Sequence, residues 1–197
     1  MTVPKKAGIS LVAAGAILIL AALALLGYNI VTDARAGRQA EALLADVQSA
    51  LDEHTPVSAL GPELPVVEID GYGYVGTLSV PTLGLELPVM SDWDYKRLKI
   101  APCRQFGSSR TDDLVIAAHN YESHFGTLKN LEIGAQITFT DMAGIVNRYT
   151  LVRLEKLDPT NIDAVQYSGN DLVLYTCTPG GALRVTAFFD RVTDPEA

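Results

Sequence analysis

Cysteine is nearly absent: it occurs twice in 197 residues, as Cys103 and Cys177. Two could form one disulfide, but they cannot make a disulfide scaffold, and no Cys/His spacing reads as a zinc site. No metal and no cofactor are therefore expected. Basic residues are also short, 15 Lys and Arg against 23 Asp and Glu, which gives a net charge of -8. That balance argues against a nucleic-acid partner, because phosphate binding needs a basic face. There are only three histidines, His54, His119 and His124, so any imidazole chemistry has few sources. Repeats and low-complexity tracts are missing as well. What remains, at 48% hydrophobic residues, is one ordinary domain plus an appendage.

Charge is missing altogether from Ala7 to Gly27. About 20 apolar residues are what a helix needs to cross a bilayer. A cleaved signal peptide has a shorter apolar region, roughly 7–15 residues, before a small-residue cleavage site. Ala22 and Ala24 could mimic such a site, yet the run continues through Leu25 and Leu26. An uncleaved signal-anchor is therefore expected, with residues 1–6 in the cytoplasm and 7–28 in the membrane. Lys5 and Lys6 predict this orientation, which leaves the rest of the chain outside; Arg35 and Arg38 on the far side pull the other way. From Thr32 to His54, Ala40, Leu43, Leu44, Val47 and Leu51 recur at helical spacing among Glu41, Asp46 and Gln48. Residues 29–62 thus read as a stalk helix and linker. Pro56, Gly61, Pro62 and Pro65 mark the boundary to a domain over 63–197.

That domain is β-rich. Gly73–Val80, Leu85–Val89, Ala135–Thr140 and Val146–Leu154 read as strands. Asp113–His119 is almost wholly apolar, the pattern of a strand buried on both faces. A helical turn is expected over Asp94–Lys99 and a short helix over Ser123–Leu131, where Phe125, Leu128 and Leu131 fall three apart. A loop is expected over Leu157–Gly169. Short strands at this density, with little helix, predict an antiparallel or mixed β-barrel around one core.

Chemistry centres on Leu172–Cys177 and the glycine-rich turn beyond it. An apolar run ends in Cys177, the turn is Pro179-Gly180-Gly181, and a second β-prone run starts at Arg184. A hairpin here would bring thiol and guanidinium together at one rim of a sheet. A thiol reacts as the thiolate, a form that nearby positive charge favours. His119 also ends a strand-like run, beside the polar Asn120 and Tyr121. Each residue has an ordinary alternative: Cys177 as a small buried hydrophobe, His119 as a hydrogen-bonded rim histidine, Arg184 as a solvated strand arginine. Together they make a plausible cysteine-nucleophile site. His124 reads as surface decoration, His54 belongs to the stalk, Cys103 as structural, and Trp93 and Tyr95 as packing residues.

The sequence resembles the sortases, membrane-anchored cysteine transpeptidases of Gram-positive surfaces, from about Val75 to Val192. Gly76-Thr-Leu-Ser-Val-Pro81 with Leu83–Val89 is similar to the family's opening hairpin. Ala118-His119-Asn120 is similar to its histidine motif, with Ala118 in place of the usual glycine. Leu174-Tyr-Thr-Cys177 matches the end of its Thr-Leu-x-Thr-Cys motif, with Val173 where the first threonine stands. Arg184 matches the family arginine, and Arg191 is the weaker candidate. The resemblance implies an eight-stranded β-barrel. It implies that Cys177 attacks a Leu-Pro-x-Thr-Gly-like sorting signal to form a thioester. It implies that His119 serves as acid and base, and that Arg184 holds the peptide and the oxyanion. Thr176 and Asn120 are candidate substrate contacts. The implied partners are surface proteins with a C-terminal sorting signal, a cell-wall precursor or pilin amine as acceptor, and the membrane. Two other classes fit the residues: a secreted cysteine hydrolase and a non-catalytic barrel that serves assembly. The short 157–169 loop fits the helix-bearing class B enzymes less well, and no aromatic lid precedes the barrel.

Overall fold

The computed structural model describes residues 5–53 and 61–193. Most of the linker expected around 55–65 lies outside the described residues, as does the tip of the N-terminus.

The first element is one helix, α1, Lys5–Glu53. The sequence suggests a spanning segment and then a separate stalk, but no proline interrupts the run between them. Thr32, a poor helix former, is accommodated because its hydroxyl donates to the carbonyls of Tyr28 and Asn29 at 3.0 and 2.9 Å. The chain divides into two compact units, Met1–Arg35 and Ala36–Ala197. In the first, the apolar side chains of Leu11, Ile17, Leu20 and Leu25 are exposed. The helix is long and apolar enough to cross a membrane.

In the second unit, Ala36, Ala40, Leu43 and Val47 form one face of α1 by helical spacing. Val47 is fully buried and packs, with Leu43, Ala50 and Leu51, against Tyr74, Met90, Leu98 and Met142. Burying one such valine stabilises by about 1.5–3 kcal/mol. Gln48 adds a hydrogen bond to Glu86, 3.2 Å.

Among the described residues the sheet has nine strands: β1 Val67–Ile69, β2 Tyr72–Val80, β3 Leu85–Met90, β4 Cys103–Phe106, β5 Leu114–Ala117, β6 Gln136–Asp141, β7 Val146–Leu157, β8 Leu172–Cys177 and β9 Arg184–Arg191. Their order is β1-β2-β3-β4-β5-β8-β9-β7-β6, and a β2–β6 pairing closes the ring. Eight strands thus form the closed barrel, as expected, and closure leaves no exposed edge in that ring. β1, which the sequence does not signal, adds to β2 outside it. The pairs β3–β4 and β5–β8 are parallel and the others antiparallel.

Alternation sets what each strand contributes. On β5, β8 and β9 the inward residues Leu114, Ile116, Leu172, Leu174, Ala187 and Phe189 join the main core. Their outward neighbours Val115, Val173 and Phe188 form a second cluster. That cluster is covered by Val165 of a one-turn helix, α2, Asp163–Gln166. The segment expected to be plain loop therefore carries a helix, because the outer face of a central strand needs an apolar cover. The expected helix over 123–131 is instead a run of turns ending in a 3-10 turn, Leu128–Asn130. The helical turn expected after Asp94 is the 3-10 turn Arg97–Lys99.

Candidate active site

Register brings the three candidate residues to one end of three neighbouring strands. β5 and β8 run parallel with Ala117 beside Tyr175. The pairing continues one step beyond the strand, where Ala118 N–H donates to Tyr175 O at 3.1 Å. Thr176 Oγ1 then donates to Ala118 O at 2.9 Å. His119 is the residue after this last pairing, as Cys177 is the residue after Thr176. On the other side of β8, Cys177 faces Arg184 directly across the antiparallel β8–β9 ladder. By alternation, Cys177 shares the outer face with Tyr175 and Val173, and Arg184 shares it with Thr186 and Phe188.

The β8–β9 connection is wider than a tight turn. It spans 178–183, closed by Thr178 N–H to Leu183 O at 2.9 Å and Gly181 N–H to Thr178 O at 2.8 Å. Gly180 and Gly181 have φ of 82° and 76°, a conformation that glycine adopts at no steric cost. The Arg184 guanidinium donates weakly back to Gly181 O and Leu183 O, 3.3 and 3.4 Å. Both are exposed contacts to the loop, so the guanidinium keeps donors for a ligand.

Arg184 also lines a pocket of about 170 Å³, with Tyr175, Gln105, Trp93, Tyr95 and Ile162. Its floor is polar at one point, where Tyr175 donates its phenol to Gln105 Oε1. Burial above all pushes Tyr175 up to about 12, against the pull of nearby Arg184. The phenol thus stays protonated as a donor near neutral pH. A larger cavity, about 740 Å³, adjoins the pocket through Trp93 and Gln105.

Thr176 has a different place from that of a substrate contact. It is 2% exposed, and its hydroxyl clamps β8 to the residue before His119. Asn120 is half-buried in the turn after His119. His124 is fully buried, contrary to the surface position expected from sequence; its edge meets the Tyr121 ring, centroids 5.5 Å apart. Tyr95 is 74% exposed at the pocket rim, whereas the sequence reads it as packing. Arg191 lies at the far end of β9. It donates to Asp112 Oδ1 from Nε at 2.8 Å and to Asn147 Oδ1 at 2.5 Å, a network that fastens the barrel. Sequence reasoning missed Tyr175 and Gln105 as lining residues. Period-two alternation from Cys177 would have found Tyr175. Gln105 carries no local signal, since its partner is remote in sequence.

The turn that carries His119 is tightly wound. Phe125 N–H reaches back to His119 O at 3.3 Å, and Gly126 N–H to Tyr121 O at 2.7 Å. A Cβ on Gly126 would lie 2.6 Å from Asn120 O and 2.7 Å from Tyr121 O. Gly126→Ala is therefore expected to destabilise by about 1–3 kcal/mol, as overpacking does, and thermal melting will register it as a lower Tm.

The two cysteines are both free. Cys103 is fully buried, with Sγ 4.0 Å from Met90 Sδ, and burial pushes its thiol up to about 12. Native protein is expected to alkylate once near neutral pH, at the half-buried Cys177, and a second time only after unfolding. Two equally fast equivalents would contradict this; mass spectrometry counts them.

The model of the Sortase domain family matches residues 78–190, more than half of the chain. No curated protein matches it. Among solved structures it is similar to sortase C-3 from Streptococcus pneumoniae: 21% identity, TM-score 0.55, 81% of this chain and 85% of that one. Sortase C-1 from Actinomyces oris gives 21% identity and TM-score 0.55 over 76% and 99%. Sortase C2 of Group B Streptococcus Pilus Island 1 gives 19% and 0.56 over 79% and 98%. At these identities the structural likeness is one of fold, and it agrees with the family match. A closed eight-stranded barrel, with cysteine, histidine and arginine brought to one end of adjacent strands and the family match spanning all three, leads to one conclusion: the chain belongs to the sortase family of cysteine transpeptidases.

Proposed function

We propose that the protein is a membrane-anchored transpeptidase that cleaves a Leu-Pro-x-Thr-Gly-like sorting signal and joins the protein to a cell-wall or pilin amine. The reading is supported by the register that pairs Cys177 with Arg184 and runs β5, which ends two residues before His119, alongside β8. In the first half-reaction, the Cys177 sulfur attacks the backbone carbonyl carbon at the cleavage point. The C–N bond breaks, His119 gives the leaving amine its proton, and a thioester remains on Cys177. Arg184 holds the peptide and faces the oxygen on which charge develops. In the second, an incoming amine gives its proton to His119, attacks the thioester and releases Cys177. Water can take the amine's place as a slower side reaction. The N-terminal helix is the anchor, residues 1–6 stay in the cytoplasm, 7–28 span the membrane, and 63–197 form an extracellular catalytic domain. The substrates are then surface proteins with a C-terminal sorting signal.

The test is intact-mass spectrometry of the full chain in detergent, with a Leu-Pro-x-Thr-Gly peptide library and with glycine-based or diaminopimelate-type amines. An acyl adduct that an amine discharges supports the reading. Discharge by water alone, with every amine, would make the protein a hydrolase. No adduct with any peptide, although Cys177 alkylates, would point to a barrel that does not catalyse. Arg184→Ala is expected to lower the acylation rate by roughly 10²–10³-fold. Arg184→Lys should recover little of it, because a point charge does not reproduce the planar fork.

A further inference from the structure

The turn after His119 stacks an aromatic ring on the candidate acid–base residue. The His119 and Tyr121 rings lie 3.9 Å apart by centroid, with 20° between their planes. Two positions apart in an irregular segment, the two side chains meet only because the turn brings them together. That turn is held at several points. Tyr121 O accepts from His124 N–H at 3.0 Å as well as from Gly126, and Phe125 N–H returns to His119 O. The Tyr121 ring is itself met edge-on by the buried His124. On the outer side, α1 approaches closely: a Cβ on Gly37 would lie 3.1 Å from Ser123 Cβ. The ring thus lies against His119 on one side and meets the buried His124, in a turn that α1 approaches at Ser123.

We infer that Tyr121 is a positioning residue, whose ring face fixes the plane of the His119 imidazole so that its edge, and hence a ring nitrogen, stays directed at Cys177 and the reacting amide. The inference rests on reading His119 as the acid and base of the site. A histidine ring turns about two side-chain bonds, and its proton transfer works only in a narrow range of orientations. Covering one face with a parallel ring removes most of that freedom, since stacked aromatic pairs favour offset, near-parallel contact. A neutral aromatic face also accepts imidazole and imidazolium alike, so the ring stays in place as the proton comes and goes. In this inference the ring face is what orients the imidazole. Phenylalanine or tryptophan should therefore replace Tyr121, and aliphatic or amide side chains should not.

The experiment uses the full chain in detergent, with Tyr121→Leu, Tyr121→Gln, Tyr121→Phe and His119→Ala. The first readout needs no Tyr121 variant: in the native protein the ring protons of His119, identified by their loss in His119→Ala, should resonate upfield because a ring current lies over them. That shift should persist in Tyr121→Phe and vanish in Tyr121→Leu and Tyr121→Gln. The second readout is kinetic. Loss of the ring is expected to lower kcat by roughly ten- to a hundredfold, the scale of a misplaced catalytic group, with KM nearly unchanged, and Tyr121→Phe should recover most of it. The inference is overturned if the His119 signals are unshifted in the native protein, if the ring-less variants turn over normally, if the loss lies in KM, or if Tyr121→Phe is as poor as Tyr121→Leu. If His119→Ala itself turns over normally, the parent reading of His119 fails instead, and that result is separate from the others.

Discussion

Cys177→Ala is expected to leave no acyl adduct on the protein and to lower peptide turnover by roughly 10⁴-fold or more, the scale on which loss of a nucleophile is felt in acyl-transfer enzymes. The size of the effect reflects the lack of a substitute. The only other cysteine, Cys103, is fully buried on β4 against Met90, where burial holds its thiol in the neutral form. The hydroxyl next to Cys177, on Thr176, points into the barrel and is donated to Ala118 O. Cys177→Ser should be nearly as inactive, because a hydroxyl is a far weaker nucleophile than a thiolate without a strong base to activate it. Stability should barely change, since Cys177 is half-buried at a strand end and small changes at such sites cost little. Intact mass after incubation with substrate reads the first outcome, and thermal melting the second. An adduct that survives in Cys177→Ala would assign the chemistry to another side chain.

Most of the barrel strands were legible from alternation or from an all-apolar run, but β4, Cys103–Phe106, carried neither signal. Ile137 and Phe139 of β6 point into the core, with half-buried or exposed residues between them. The all-apolar Leu114–Ala117 is buried throughout, as a strand covered on both faces must be. The ends of β5, β8 and β9 were legible for the same reason, which put Cys177, His119 and Arg184 at strand termini before any register was known. What sequence could not supply is what depends on remote partners. His124 reads as surface decoration on a short helix, yet it is fully buried against the Tyr121 ring, and only tertiary packing decides that. The one-turn helix Asp163–Gln166 is too short to show a helical period. It forms because Val165 has Val173 and Phe188 to cover. The Tyr175–Gln105 bond joins two strands distant in sequence and leaves no trace in either.

His119→Ala is expected to give the second large loss, roughly 10²–10⁴-fold in the rate of acylation, the usual range for removal of a general acid–base group. Among the described residues no other histidine is placed to take over. His124 is fully buried behind Tyr121, and His54 lies outside the described residues. The loss should depend on the leaving group, and that dependence separates the two roles an imidazole can play. If His119 protonates the departing amine, the loss is largest for a peptide, whose amine leaves poorly without a proton. For the same sorting signal carried on a thioester, whose thiolate departs unaided near neutral pH, the loss should shrink by at least an order of magnitude. If His119 mattered only by assisting Cys177 to attack, both substrates would lose equally. The parallel register supports the first role as well as the second, because a residue beside Cys177 at the end of a neighbouring strand can face both the sulfur and the group it displaces. Single-turnover acylation of His119→Ala with the two substrates, at saturating concentration, therefore measures the proton transfer itself. Equal losses would remove the general-acid step from the mechanism while leaving Cys177 as its nucleophile.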